Sequence, residues 1–184
     1  MRCNMATVKV LVQGIAGKES WSTVTLIQDG KTLLLVDPGM CAQRVLLDAL
    51  AREKLVPADI DIVCLTHPHL DHTRNLGLFP EAAVLDYWGL WKGTHLSENR
   101  KEREFSKNVR ILFTPGHCLE SITLLVTTAE GIVAVCGDVF WDEHGPEKDN
   151  YANDPATLER TRARLRELAD SIVPGHGKSF PTQP

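Results

Sequence analysis

A six-residue run, His67-x-His69-x-Asp71-His72, places three imidazoles and a carboxylate directly behind the apolar segment Asp61–Leu65. Imidazole and carboxylate donors at this density suit Zn²⁺, Fe or Mn, whereas thiolates would point to a closed structural zinc site. The run has company. Thr32–Val36 runs into Asp37-Pro38-Gly39, Val109–Phe113 into Thr114-Pro115-Gly116-His117, Gly131–Cys136 into Gly137-Asp138, and Ser171–Val173 into Pro174-Gly175-His176-Gly177. Each of these strand-like segments hands a His or Asp to a loop rich in glycine or proline. Layered α/β proteins place function on loops at one edge of a rigid sheet, so such residues can converge while far apart in sequence. Of seven histidines, only His95 and His144 lie outside these strand exits. One isolated histidine would read as a core residue; five in matching contexts, with two aspartates, read as metal ligands.

The remaining elements are ordinary. Val8–Val12 and Ser22–Gln28 read as paired strands, and Asp29-Gly30 is a hairpin-turn dipeptide. Ala82–Leu85 and Ser121–Thr127 read as further strands. Cys41–Lys54 reads as a helix with Val45, Leu46, Ala49 and Leu50 on its buried face. Asp154-Pro155 opens a second helix, a capping residue followed by proline at the first helical position, with Leu158, Leu165, Leu168 and Ala169 inward. Arg160, Arg162, Arg164 and Arg166 do not share a helical face and read as surface solubilisers. The sign-alternating run Glu98–Lys107 reads as a solvated face.

A length of 184 residues fits one domain spanning 1–184, and 43% apolar with 24% charged residues is a globular composition. The net charge of −4 carries no electrostatic footprint for nucleic acid, although a local patch can hide inside such a total. No apolar run reaches signal-peptide or membrane-helix length, so the expectation is a cytoplasmic protein without a membrane partner. Cys3, Cys41, Cys64, Cys118 and Cys136 form no Cys-x-x-Cys pair, which argues against a disulfide framework. Cys64 and Cys136 read as core thiols; Cys118, next to His117, reads as turned inward or as a neighbour of the metals.

The order of these motifs, His67-x-His69-x-Asp71-His72, then His117, Gly137-Asp138 and Gly175-His176-Gly177, with Asp37 ahead of them, resembles the metallo-β-lactamase superfamily over nearly the whole chain. The resemblance implies a mixed α/β (α+β) fold, a four-layer αββα sandwich with metals at one edge. It further implies two divalent ions, Zn first with Fe or Mn as alternatives. His67, His69 and His117 would hold one, and Asp71, His72 and His176 the other. Asp138 would bridge them, and Asp37 would support the ligand loops from behind. Asp71-His72 together with Asp138 resembles glyoxalase II, lactonases and RNA-processing nucleases; the best-known secreted β-lactamases carry Cys where Asp138 stands.

The expected activity is a dinuclear hydrolase whose metal-bound hydroxide attacks a phosphodiester or a small ester, lactone or thioester. Asp71 would hold the second metal and orient the hydroxide. The alternative is an iron-dependent, non-hydrolytic redox enzyme of the persulfide dioxygenase type. The substrate, small molecule or nucleic acid, stays open, and a nuclease should gather Lys92, Arg100 or Lys107 near the metals. Trp21, Trp88, Trp91, Phe140 and Trp141 are the candidate pocket walls, with core or dimer packing as their other reading. Four tryptophans in so short a chain leave a homodimer open.

Overall fold

Alternation along the strands builds two sheets that share one core. The computed structural model describes residues 5–146 and 148–182, so Cys3 lies outside the described residues. The first sheet holds β1 (Thr7–Val12), β2 (Val24–Asp29), β3 (Thr32–Val36), β4 (Ile62–Cys64), β5 (Ala83–Leu85), β6 (Gly89–Lys92) and β7 (His95–Glu98), in that order. The second runs from β8 (Arg103–Glu104) through β9 (Val109–Phe113), β10 (Ile122–Thr128), β11 (Gly131–Val135) and β12 (Ser171–Val173) to β13 (Phe180–Pro181).

Successive strand residues point to opposite faces. Ile27, Leu34, Val36, Cys64 and Leu85 of the first sheet therefore meet Ile111, Ile122, Leu124, Val126 and Val135 of the second. The other face of the first sheet, including Val24, Leu26, Leu35 and Val63, is covered by Leu46, Ala49 and Leu50 of helix α1 (Gln43–Arg52). The outer face of the second sheet, including Leu112, Leu125, Ala134 and Ile172, is covered by Leu158 and Leu165 of helix α3 (Pro155–Leu168). The result is the four-layer αββα arrangement. Burial of each such Leu, Ile or Val stabilises the fold by roughly 1.5–3 kcal/mol.

The strand directions bring the ligand-bearing loops together. Strands β3 and β4 are parallel, with Val36 opposite Cys64, so Asp37 and the His67 loop leave the first sheet side by side. In the second sheet β9 and β11 both run antiparallel to β10, and β12 runs parallel to β11 with Val135 opposite Val173. The exits of β9, β11 and β12 thus share an edge. Ile122 N donates to Thr66 O at 2.8 Å and ties the two edges to each other.

Several expectations need correction. Val45 is 46% exposed, because α1 turns only Leu46, Ala49 and Leu50 fully inward. Arg162 is buried: its Nε donates to Val139 O at 2.8 Å and its Nη1 to Glu159 at 2.7 Å. Arg164 is held by both Glu102 carboxylate oxygens, and the Arg166 guanidinium lies over the Phe140 ring. The stretch around Trp88 to Glu98 contains a hairpin, β6–β7, whose polar edge residues hide its alternation. Cys41, Cys64, Cys118 and Cys136 are free and buried. No described helix is long and apolar enough to cross a membrane.

Candidate metal centre

Asp37, immediately after β3, adopts φ +49°, a left-handed conformation uncommon for a residue with a side chain. That turn points its carboxylate back under the next loop. Its Oδ1 accepts from Thr66 N at 2.8 Å, and its Oδ2 accepts from the Thr66 hydroxyl at 2.7 Å and from His72 Nδ1 at 2.8 Å. The Thr66 hydroxyl, having given its proton to Asp37, accepts from His67 Nδ1 at 3.1 Å. His69 immediately precedes the short helix α2 (Leu70–Thr73), which carries Asp71 and His72. His117 Nδ1 lies 2.5 Å from Asp149 Oδ2, and His176 Nδ1 donates to Trp21 O at 3.0 Å. Four histidines therefore have one ring nitrogen committed to the protein, which leaves the Nε2 lone pair of each facing inward.

Those lone pairs converge in two groups. In the first, His69 Nδ1 lies 3.0 Å from both His67 Nε2 and His117 Nε2. Asp138 Oδ2 stands 3.5 Å from His117 Nε2 and 3.9 Å from His67 Nε2. In the second, Asp138 Oδ1 lies 3.2 Å from His72 Nε2 and 3.4 Å from His176 Nε2, and Asp71 Oδ2 is 3.7 Å from His176 Nε2. The two oxygens of one buried carboxylate thus face different groups. Gly175 makes room for it: a Cβ there would stand 1.8 Å from Asp138 Oδ1. At Gly137, with φ +53°, a Cβ would meet the Thr66 hydroxyl at 2.2 Å.

These donor sets fit divalent cations. Ligand atoms about 2.0–2.1 Å from one tetrahedral ion lie roughly 3.3–3.4 Å apart, close to the separations found in both groups. A single proton on His69 Nδ1 could satisfy only one of its two neighbouring lone pairs. His72 Nε2 and Asp138 Oδ1 are buried without a hydrogen-bond partner among the described residues. Burial, reinforced by the neighbouring His72, holds the His67 pKa well below the ordinary histidine value, and burial beside His117 lowers that of His69. Both therefore stay neutral and able to ligate. His72 and His176 behave oppositely: burial disfavours their charged forms, but Asp138, with Asp37 beside His72, outweighs it and raises both pKa values. Burial likewise opposes ionisation of Asp138, and His72 and His176 override it. The carboxylates call for positive charge at this position, which a divalent ion would supply.

A cavity of about 470 Å³ opens above the two groups, lined by His69, Asp71, His117, Asp138 and His176 together with Ala16, Gly17, Ser20, Leu70, Trp141 and Tyr151. Of the expected aromatic walls, only Trp141 lines it, with ring centroids 6.5 Å from His117 and 6.1 Å from His176. Trp21 instead donates its indole N–H to Gln13 O and packs against the core under α1. Phe140 is fully buried beneath α3. Trp91 donates to Asp86 Oδ2 at 3.1 Å, and Trp88 lines a separate cavity of about 270 Å³ behind His67 and Pro68. Cys118 points its thiol at Glu120 rather than at the centre.

Three contributors escaped the sequence reading. Tyr151 stacks on Trp141 with ring centroids 5.8 Å apart, Asp149 backs His117, and Ser20 donates to Asp71 Oδ2 at 2.9 Å. Asp149 and Tyr151 belong to a polar loop with no strand-exit signature, and a serine in a loop carries no mark of its own.

Comparison with known proteins follows the same line. Residues 21–112 match the family model described as the metallo-beta-lactamase superfamily. Metallo-beta-lactamase domain-containing protein 1 of Xenopus laevis is 36% identical over 166 residues, covering 86% of this chain and 71% of that protein. Among solved structures, a Thermotoga maritima protein of metallo-beta-lactamase type superposes with a TM-score of 0.76 at 23% identity, covering 97% of this chain and 100% of its own. An N-acyl homoserine lactone hydrolase, solved with N-hexanoyl-L-homoserine at its catalytic metal centre, gives a TM-score of 0.70 at 16% identity over 96% of this chain and 94% of its own. On its motifs, its αββα layers and these similarities, the chain belongs to the metallo-beta-lactamase superfamily.

Proposed function

We propose that this protein is a metal-dependent hydrolase of small esters, lactones or thioesters with an apolar acyl or aromatic part. The observation that carries the reading is the make-up of the cavity: two groups of ion ligands form its floor, Trp141, Tyr151 and Leu70 form its walls, and no lysine or arginine lines it among the described residues. A site that tracks a nucleic-acid backbone gathers lysine and arginine beside it to neutralise the phosphates. Lys92, Arg100 and Lys107, the basic residues that a nuclease would gather, do not line the cavity.

In this reading His67, His69 and His117 would hold one divalent ion, Asp71, His72 and His176 would hold a second, and Asp138, whose two oxygens face the two groups, would serve both. When bound, such ions supply Lewis acidity and can bring the pKa of a water to about 7, in place of a serine or cysteine nucleophile. The protein's own groups do the rest. Asp71, whose Oδ2 accepts from Ser20, would orient the attacking water with its carboxylate. Trp141 and Tyr151 hold the apolar part of the substrate and keep bulk water off one side. Asp37 and Thr66 prevent the His67 and His72 rings from turning away.

Metal analysis combined with a substrate panel tests the reading: an acyl-thioester, a lactone, bis-p-nitrophenyl phosphate and single-stranded RNA. The expected result is about two ions per chain and chelator-sensitive turnover of the thioester or lactone. Preferential cleavage of the phosphodiester or RNA would overturn the substrate class. Turnover unaffected by a chelator would overturn the metal dependence.

A further inference from the structure

The loop between Phe140 and α3 reaches back over the His117 loop and grips it. Asn153 N donates to His117 O at 3.0 Å, Asp154 N to Gly116 O at 2.9 Å, and Leu119 N to Asn153 Oδ1 at 3.3 Å. From the same loop the buried Asp149 carboxylate meets His117 Nδ1 at 2.5 Å, while its Oδ1 accepts from Tyr151 N at 2.9 Å. The partners of the other histidines set this contact apart. His67 is backed by a neutral hydroxyl and His176 by a neutral carbonyl; only His72, through Asp37, has a carboxylate behind it. Each ligand group therefore contains one histidine with a carboxylate at its back: His72 in one and His117 in the other.

We infer that Asp149 is the positioning residue for the His67–His69–His117 half of the centre, the counterpart of Asp37 in the other half, and that it governs ion affinity there selectively. The inference rests on the metal-centre reading above. Its physical basis is geometric: a carboxylate accepting from Nδ1 fixes the tautomer and orientation of the ring, so that Nε2 is the atom offered to the ion. Because Tyr151 N holds the other oxygen, Asp149 also links the His117 ring to the Trp141–Tyr151 wall.

The test is a Zn²⁺ titration of the full chain against a chromophoric chelator, with Co²⁺ absorption as a probe of each ligand group. In Asp149→Ala the affinity of one of the two ions should fall about 10- to 100-fold while the other is unchanged. Asp149→Asn, which keeps an acceptor and loses the charge, should recover part of the loss. Should Asp149→Ala fail to fold, Asp149→Asn carries the test alone, and weakening confined to one ion is still expected. Unchanged binding of both ions, or equal weakening of both, would overturn the inference and leave the metal-centre reading standing. An unsubstituted protein that takes up no ion would overturn both.

Discussion

His72 Nδ1 lies 2.8 Å from Asp37 Oδ2, and both side chains are buried. The same carboxylate anchors the backbone and hydroxyl of Thr66, so one residue sets the entry to the ligand loop and the orientation of a ring near its end. Asp37 does this from a left-handed backbone conformation, strain of the kind that persists where the surroundings over-determine it. Asp37→Ala should weaken binding of the ion proposed at Asp71, His72 and His176 by about 10- to 100-fold. Chelator competition measures it, and an unchanged affinity would remove Asp37 from the centre.

Gly175→Ala should lower the metal content of the centre without replacing any candidate ligand. The added methyl would stand 1.8 Å from Asp138 Oδ1 and 2.9 Å from the Gly137 carbonyl carbon, so the Asp138 carboxylate has to move. Overpacking of this kind costs about 1–3 kcal/mol, visible as a lower melting temperature. Metal content by elemental analysis should fall with it, and a variant retaining full content would show that Asp138 has room the structure does not provide.

Tyr151 is 69% exposed, lines the cavity and stacks on Trp141. Aromatic pairing of this kind is worth about 0.5–1.5 kcal/mol, so Tyr151→Ala should raise KM for apolar acyl substrates roughly 2- to 10-fold. The value of kcat should change less, because binding contributed equally to ground and transition states appears in KM. Steady-state kinetics over a series of acyl chain lengths decides it; a loss confined to kcat would place Tyr151 in the chemistry instead.

Arg164 donates to both oxygens of Glu102, at 2.7 and 2.8 Å, and holds the Glu102 pKa below the usual carboxylate range. A lowered folded-state pKa means stability that is present above the unfolded-state value of about 4.3 and lost as the pH falls through the folded value. The pair is partly exposed, so its contribution at pH 7 is only about 0.5–1 kcal/mol. Glu102→Gln should therefore melt slightly lower than the unsubstituted chain at pH 7, with the gap closing below pH 4. A gap independent of pH would mean that packing, not charge, is what Glu102 supplies.

The sequence by itself determined the central strands of both sheets, both main helices and the candidate ligands, because these rest on local signals, whereas the polar edge strands β6, β7 and β8 carry no such signal. Period-two apolar segments such as Thr32–Val36 become strands wherever they can bury one face, and Asp154-Pro155 starts a helix through a cap and a preset φ. The candidate ligands could be singled out because five strand exits repeat the same kind of loop. Only the tertiary structure decided which oxygen of Asp138 faces which histidines, that Asp149 stands behind His117, and that Trp141 and Tyr151 wall the cavity while Phe140 and Trp21 serve the core. Nor could spacing along the chain reveal that Arg162, in a helix whose other arginines face solvent or partners across it, is drawn inward to Val139 O. These outcomes depend on contacts between residues distant in sequence. A side chain's partner is set by how two sheets and a returning loop close on each other, and a linear pattern carries no record of that distance.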